Sequence, residues 1–272
     1  MSPGTPAPAV DLKAMMEALW EKVRVYNPLA DEDKLWFGYR FAKAAHEGQM
    51  RKSGEAFFAH ALTVATILAD LRLDVDTLIA AMVHDVVEDT DYEMEDIRQR
   101  FGQDVAHMVD GVTKISGIRE VNAEARKAET YRKLVLAIAQ DPRTVLIKLA
   151  DRLHNMRTIS FLKPDRQQAI AQETMDVYAP LANRFGIARI KWELEDLSFK
   201  VLMPERYFEI ESGINQTRSE REHLIQKIVT PLGKALTEAG VVHEIGGRPK
   251  HFYSCLLYTS PSPRDHLAHL VC

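Results

Sequence analysis

An imidazole and a carboxylate stand side by side at His84 and Asp85, in an otherwise apolar stretch with helical character. Burying a charged group in such a stretch is costly unless a partner compensates for it. Neutral imidazole and ionised carboxylate are both ligands for divalent transition metals. The pair therefore predicts the beginning of a metal site.

Two further residues extend this pair to a possible set of four ligands. His60 and Asp151 lie on other predicted helices, and a helical bundle can bring such side chains together in its core. Taken alone, each histidine would more often be an ordinary core residue. A mixed set of nitrogen and oxygen donors suits Mn²⁺, Fe²⁺ or Zn²⁺ better than Mg²⁺, and the residues alone leave the choice among these ions open.

Acidic residues follow the pair by one helical turn, at Glu88 and Asp89. At that spacing both would project near the metal ligands, where they could act as general bases or orient an attacking water. If they only ended a helix, their charges would oppose the helix macrodipole, so we favour a functional role. Arg51 and Lys52, in a predicted loop, offer cationic groups for a phosphate.

Helical periodicity dominates the chain and predicts an all-α fold. Asp31 or Asp33 is expected to begin a helix that reaches about His46, and Asp76 to cap the helix that carries the His-Asp pair. Lys148, Asp151 and Asn155 fall on one face of another helix. The further helices are predicted over residues 60–71, 77–88, 90–101, 105–112, 123–140, 143–157, 164–185, 189–200 and 220–239.

Composition excludes several classes of protein. The chain has 272 residues, 46% of them hydrophobic, and a formal net charge of −4, so the basic footprint of a nucleic-acid-binding protein is absent. No apolar run reaches the length of a membrane span, so no membrane partner is expected. The two cysteines, Cys255 and Cys272, both lie near the C-terminus, which indicates a reducing, cytoplasmic compartment.

Several motifs, taken together and in order, resemble the RelA/SpoT homologue family, the bifunctional enzymes of the guanosine tetra- and pentaphosphate alarmones. The similarity covers the chain from about residue 20 to Ser254. A lone His-Asp pair would not be specific, but the ordered set is. The motifs are Arg51–Glu55, His60, His84-Asp85-x-x-Glu88-Asp89-Thr90, Asp110–Ile115, Lys148–Thr158, Tyr178–Gly186 and Lys191–Leu197.

This resemblance implies an HD-superfamily helical bundle that holds one Mn²⁺ ion. It implies hydrolysis of guanosine 3′,5′-bis(diphosphate), the alarmone of the stringent response, to GDP (or GTP) and pyrophosphate. Carried over by position, Glu88 and Asp89 would activate and position the water. The metal ligands would be His60, His84, Asp85 and Asp151. The guanine nucleotide would be held by Arg51, Lys52, Ser53, Lys148, Asn155 and Thr158.

The resemblance also organises the chain into segments. Residues 1–19 are a Pro-rich, disordered lead-in, 20–200 the hydrolase domain, and 201–240 a helical linker. Residues 241–254 would open a truncated α/β synthetase domain, so we do not expect synthesis of the alarmone. Residues 255–272 have no helical or strand period and are interpreted as a foreign tail. Ala61 departs from the family, which usually has proline after the first metal histidine.

Two alternative functions remain at this point. One is a regulatory module that senses the alarmone without turnover, and the other is a general HD-type nucleotide phosphohydrolase. The intact metal and acidic residues favour a hydrolase over a sensor. Arg51-Lys52-Ser53 with Asn155 and Thr158 favours guanine selectivity over a general substrate range. The sequence leaves the oligomeric state open.

Overall fold

The computed structural model describes residues 11–51, 53–116, 123–213, 218–247 and 251–259. Within these ranges the chain is largely helical and contains no β-strand, which confirms the all-α prediction. None of the helices in these ranges is both long and apolar enough to cross a lipid bilayer. The chain divides into two compact units, Met1–Leu194 and Glu195–Cys272.

The first unit is a bundle of short and medium helices. In chain order they are α1 (Leu12–Tyr26), α2 (Glu32–Ala45), α3 (Phe57–Asp70), α4 (Val75–Val83), α5 (Val86–Asp89), α6 (Met94–Phe101), α7 (Gln103–Ser116), α8 (Ala123–Gln140), α9 (Pro142–Arg157), α10 (Pro164–Glu173) and α11 (Ala179–Arg184). Helix α12 (Ala188–Leu202) includes the division between the units.

Helix α3 packs against α1, α4 and α9. Its sequence is apolar on nearly all sides, and a helix of that kind is stable only when it is surrounded by other elements. His60 is one of the few polar residues of this helix, and it is only 2% exposed. The packing of α3 therefore places the buried imidazole of His60 against α4, which precedes His84, and against α9, which contains Asp151.

Helix α9 begins where the sequence predicts a break, at Asp141-Pro142. The Asp141 side chain accepts a hydrogen bond from the Arg143 backbone N–H at 2.9 Å, and Pro142 fills the first helical position, where no N–H is needed. Helix α2 likewise begins after Asp31, whose side chain caps it through Lys34 N–H. Both helix starts are confirmed.

The helix predicted over 77–88 is wrong in its bounds. Asp74, and not Asp76, caps it, because the Asp74 carboxylate accepts from both the backbone N–H and the hydroxyl of Thr77. The regular helix then ends at Val83. His84 and Asp85 lie in the turn between α4 and α5, where His84 Nδ1 lies 2.7 Å from the carbonyl oxygen of Ala81.

Two other segments differ from the sequence predictions. The expected disorder of residues 1–19 is wrong from Leu12 onward, because Asp11 caps α1 and the apolar face of that helix is buried. The single helix predicted over 164–185 is interrupted by a π-helical turn, Thr174–Tyr178. Pro180 lacks an N–H and its ring crowds the preceding turn of a regular α-helix, so the wider turn accommodates it.

The second unit contains α13 (Pro204–Gly213), α14 (Arg218–Glu238) and α15 (Phe252–Thr259). Helix α15 corrects the prediction that no helical period follows Ser254. Aromatic packing explains it, since the ring centroid of Phe252 lies 5.2 Å from that of Tyr207. Cys255 on the same helix is buried. The foreign origin of residues 255–272 stays a prediction, and residues 260–272 lie outside the described ranges.

Close packing of α7 against α9 depends on Gly111. A Cβ atom at this position would lie 2.8 Å from Cγ2 of the buried Thr144. We expect Gly111→Ala to lower the free energy of unfolding by about 1–3 kcal/mol, because overpacking outweighs the gain in helix propensity. Urea denaturation followed by circular dichroism measures the change.

The double variant Gly111→Ala/Thr144→Ser is the matched control. It removes the nearest methyl group and should recover part of the lost stability. A single alanine variant as stable as the wild type would show that α7 and α9 can separate at no cost.

Candidate metal centre and adjoining pocket

The structure brings three of the four predicted metal ligands together in the first unit. His60 comes from α3, His84 from the turn after α4, and Asp151 from α9, and all three are buried. One ligand atom from each of them lies within 4.8 Å of the other two. Two imidazoles and a carboxylate thus converge in a core formed by helices that are far apart in sequence.

Asp85 lies at the edge of this group and not within it. Its Oδ1 is 3.0 Å from His84 Nε2 and its Oδ2 is 3.9 Å from His60 Nε2. The side chain is 21% exposed, in contrast to the two histidines. Asp85 is therefore placed to close the solvent side of a metal site.

The hydrogen bonds around His60 assign its ring nitrogens. Arg51 Nη1 lies 3.1 Å from His154 Nδ1, and a guanidinium only donates, so that nitrogen is an acceptor. His60 Nδ1 lies 2.7 Å from the same nitrogen and must donate to it. Burial lowers the pKa of His60, which keeps the ring neutral. Its remaining lone pair is consequently on Nε2, which faces Asp151 Oδ1 at 3.3 Å.

The same reasoning applies to His84. The Ala81 carbonyl oxygen only accepts, so His84 Nδ1 carries the hydrogen of their 2.7 Å contact. His84 Nε2 is buried and has no hydrogen-bond partner, although Asp85 Oδ1 is only 3.0 Å away. The contact lacks hydrogen-bond geometry. In the neutral ring a lone pair is therefore left close to a carboxylate.

These contacts fit a divalent cation. Two imidazole lone pairs each face a carboxylate oxygen, and acceptors in such contact repel each other unless a positive charge lies among them. Burial opposes ionisation of Asp151, but the Lys148 ammonium group beside it holds the pKa of this carboxyl well below its usual range. Asp151 therefore offers an ionised oxygen and His60 a neutral nitrogen, the forms in which these side chains bind a metal.

Glu88 and Asp89 lie on the short helix α5, which starts directly after Asp85. Loss of solvation, and then the charge of Asp85, raises the pKa of both carboxyls. Much of each side chain remains exposed. Although the helix is interrupted at the His-Asp pair, the two acids stay beside the centre, because the Glu88 and Asp89 backbone N–H groups both donate to the Asp85 carbonyl.

Arg51 is held by a tight loop that leads into α3. Its backbone N–H donates to the Glu55 carbonyl, and Met50 pairs with Ala56 across the loop. Gly54 has a φ of 80°, a left-handed conformation that a residue with a Cβ rarely adopts. From this loop Arg51 Nη2 donates to Asn155 Oδ1, in addition to the contact of Nη1 with His154.

A pocket of about 890 Å³ adjoins the centre and meets it at Asp151. One wall comes from the Arg51 loop and the other from α9, α10 and the π-helical turn. It combines cationic and apolar groups, as a site for a charged nucleotide requires. The lining residues are Met50, Arg51, Ser53, Phe57, Ile115, Lys148, Asp151, Arg152, Asn155, Thr158, Phe161, Leu162, Arg166, Ala169, Ile170, Glu173 and Tyr178.

Five of the six residues predicted to bind nucleotide line this pocket, and Lys52 lies outside the described residues. Ser53 Oγ is buried without a hydrogen-bond partner, whereas the Thr158 hydroxyl lies within hydrogen-bond distance of two α9 carbonyls. Lys148 Nζ donates to Asp151 Oδ2 at 2.7 Å. Burial alone would lower the pKa of Lys148, but the Asp151 carboxylate raises it above its ordinary value.

Sequence reasoning missed three groups of residues around the site. His154 lies three residues after Asp151. This spacing places both on one helix face and could have indicated that His154 belongs to the site. Arg152 stacks on the Tyr178 ring at 4.0 Å and donates to Glu173 at 3.0 Å, a contact between distant segments that no local pattern signals.

The third group lies behind Asp89. Gln49 Nε2 donates to the Asp89 carbonyl at 2.9 Å, and Gln49 Oε1 lies 2.8 Å from His46 Nδ1. The His46 ring is buried and stacks on Phe57, with centroids 4.8 Å apart. The segment before α3 thereby supports α5 as well as Arg51.

A model of the HD domain family matches residues 38–188, which include the metal centre and the pocket. The SpoT protein of Escherichia coli K12, a bifunctional (p)ppGpp synthase/hydrolase, is 44% identical over 240 residues, which are 88% of this chain. The chain belongs to the RelA/SpoT family and carries its HD domain. It spans 34% of the length of that relative.

Two further proteins are similar to this chain. A GTP pyrophosphokinase of Streptomyces coelicolor is 47% identical over 79% of this chain and 25% of its own length. A solved structure is also similar, with a TM-score of 0.51 and 29% identity over 62% of this chain and 96% of its own. That protein is described as a metazoan ortholog of SpoT that hydrolyzes ppGpp and plays a role in starvation responses.

The edge position of Asp85 leads to a test of its role. We expect Asp85→Ala to weaken Mn²⁺ binding by more than the roughly 10–100-fold that loss of an outer-shell partner costs. The helical fold should persist, because the Asp85 side chain caps no helix and is partly exposed. Isothermal titration with Mn²⁺ and circular dichroism give the two measurements.

Asp89→Asn is the matched control for Asp85→Ala. It neutralises a nearby carboxyl that is not among the predicted ligands, so Mn²⁺ affinity should change little. An Asp85→Ala protein that binds Mn²⁺ as tightly as the wild type would remove Asp85 from the ligand set.

Proposed function

We propose that this chain is a metal-dependent guanosine-3′,5′-bis(diphosphate) 3′-pyrophosphohydrolase. It converts ppGpp or pppGpp to GDP or GTP and releases pyrophosphate. Convergence of His60, His84 and Asp151 beside a pocket lined by Arg51 is the observation that carries the proposal. Two of the proteins named above support the choice of substrate, since one is called a bifunctional (p)ppGpp synthase/hydrolase and the other is described as hydrolyzing ppGpp.

The proposed metal is one Mn²⁺ ion, held by His60, His84, Asp85 and Asp151. A mixed set of imidazole and carboxylate donors suits Mn²⁺ better than Mg²⁺, which prefers oxygen ligands alone. When bound, a divalent ion polarises a phosphoryl oxygen and lowers the pKa of water. The proposed setting for the reaction is the cytoplasm.

Glu88 and Asp89 are proposed to handle the proton of the attacking water. The water oxygen forms a bond to the phosphorus that carries the 3′-oxygen, and the bond between that phosphorus and the 3′-oxygen breaks. One carboxylate accepts the water proton and then releases it to solvent, and the leaving 3′-oxygen takes up a proton from solvent. A raised pKa makes Glu88 a stronger base than an ordinary exposed carboxylate.

The pocket supplies positive charge and selectivity in this proposal. Arg51, with Lys52 and Ser53, would contact the phosphates, while Lys148 keeps Asp151 ionised and adds positive charge beside the reacting group. Asn155 and Thr158 at the end of α9 present polar groups at the guanine end of the pocket. Apolar residues such as Phe161 and Ile170 complete the walls around a planar base.

The decisive assay measures pyrophosphate release from purified chain and ppGpp. We expect release with Mn²⁺ and none after treatment with a chelator, with activity restored by added Mn²⁺. The physical reason is that a divalent ion would polarise the phosphoryl oxygen and lower the pKa of the attacking water, which the side chains alone do not do. Product analysis by ion-exchange chromatography should identify GDP.

Substrate comparison separates the alternatives. Tight ppGpp binding without turnover would favour an alarmone sensor over an enzyme. Equal rates with adenine and guanine nucleotides would favour a general phosphohydrolase. Parallel measurements with the adenosine analogue of ppGpp provide the matched control, because it differs in the base alone.

The raised pKa values also predict a pH dependence. A general base works in its ionised form, so kcat/KM at saturating Mn²⁺ should fall as pH decreases through the pKa of Glu88. Because burial and Asp85 raise this pKa, the fall should begin above 4.5, the ordinary value. If Glu88 is the base, Glu88→Gln should flatten this limb and reduce kcat by roughly 10²–10⁴-fold.

Asp89→Asn shows which of the two acids is the general base. Only the variant of that residue should lose the fall of kcat/KM at low pH. A limb that remains in place in both variants would assign the titration to another group.

A further inference from the structure

The metal centre and the nucleotide pocket share a closed ring of polar contacts. Arg51 donates through Nη1 to His154 Nδ1 and through Nη2 to Asn155 Oδ1. His154 in turn accepts from His60 Nδ1, and Asn155 Nδ2 donates to Asp151 Oδ1. The ring closes between His60 Nε2 and Asp151 Oδ1, which lie 3.3 Å apart.

We propose that His154 is a positioning residue that fixes the metal ligand His60 and the pocket arginine Arg51 through one shared acceptor atom. The inference rests on the metal centre of the proposed function and adds a residue to which no role has been assigned. It makes ligand orientation at the metal and side-chain orientation in the pocket parts of the same network.

The shared acceptor explains the orientation of His60. A metal ligand histidine must present a lone pair to the ion and a hydrogen to something behind it. His154 Nδ1 receives that hydrogen at 2.7 Å and thereby leaves His60 Nε2 as the ligand atom. His154 is only 6% exposed, so water does not readily replace this contact.

His154 is suited to this task because a guanidinium can only donate, so the 3.1 Å contact with Arg51 Nη1 makes His154 Nδ1 an acceptor. The position on α9 also matters, because His154 and Asn155 are adjacent and receive the two nitrogens of one guanidinium.

Two amide variants that differ by one methylene group test the shared acceptor. In His154→Asn the amide oxygen can lie near the place of Nδ1, whereas in His154→Gln it lies one bond farther along the side chain. We expect Mn²⁺ affinity close to wild type for asparagine and a loss of roughly 10–100-fold for glutamine. Isothermal titration with Mn²⁺ on the full chain measures both.

A second readout needs no metal. In wild-type protein labelled with ¹⁵N-histidine, the ring nitrogens of His60 should show hydrogen on Nδ1, and those of His154 hydrogen on Nε2. In His154→Gln the His60 preference should weaken or reverse. A residue with a merely structural role would not change this preference.

His46→Leu is the matched control. It removes another buried imidazole, one that contacts Gln49 and Phe57 but no member of the ring. Its Mn²⁺ affinity and the His60 tautomer should stay as in the wild type. If it weakened Mn²⁺ binding as much as His154→Gln, loss of any buried histidine would explain the effect and the inference would fail.

The outcomes separate this inference from the proposed function. Wild-type chain that binds no Mn²⁺ would overturn the proposed centre, whereas the NMR measurement alone would still decide on the shared acceptor. If both amide variants bound Mn²⁺ like the wild type and the His60 tautomer were unchanged, His154 would have no positioning role. The hydrolase proposal would still stand.

Discussion

Repulsion between buried acceptors is the constraint on which the centre of this protein depends. The donors behind His60 and His84 leave their Nε2 lone pairs directed to a space already bordered by the carboxylates of Asp85 and Asp151. Transferring a carboxylate such as Asp151 into a protein interior costs on the order of several kcal/mol. Packing of α3, α4 and α9 therefore maintains an arrangement that side-chain chemistry alone would not favour without a cation.

Helix α9 contributes residues to both the candidate metal centre and the pocket. Asp151 belongs to the metal centre, Asn155 and Thr158 line the pocket, and Lys148 connects the two through its contact with Asp151. The opposite face of the helix is buried by Leu149 and Leu153. A rotation of α9 would consequently affect ligand geometry and nucleotide contacts together, which makes its N-terminal cap at Asp141 and its close packing at Gly111 relevant to function.

Sequence patterns predicted the helical class and most helix bounds, because apolar periodicity and capping residues act locally. Helix α8 was predicted at its observed bounds, and α9 within one residue. The break after Val83 was not predicted, since the apolar period continues across it and the turn is stabilised by a side-chain contact of His84 with Ala81. Helix α15 was missed because its stability comes from aromatic contacts with residues distant in sequence.

The residue types of the candidate site were predictable from the sequence, but the contacts between its helices were not. Ligand types and their spacing identified His60, His84 and Asp151, which the structure brings together. The sequence could not show that His154 lies between Arg51 and His60, because that contact depends on how α3 and the preceding loop lie against α9. Glu173, at the end of α10, and Tyr178, in the π-helical turn, also line the pocket. Pro180 was a local sign of that turn, but the apolar period predicted a single helix.

The loop that carries Arg51 has a consequence for how this chain tolerates change in length. Arg51 is followed by a turn pinned at Glu55 and Ala56, and α3 begins at once and delivers His60 in its first turn. A pocket residue and a candidate metal ligand thus occupy the two ends of one short segment. An inserted or deleted residue here would shift both ends in relation to each other. The length of this segment is therefore constrained as strictly as the residues at its two ends.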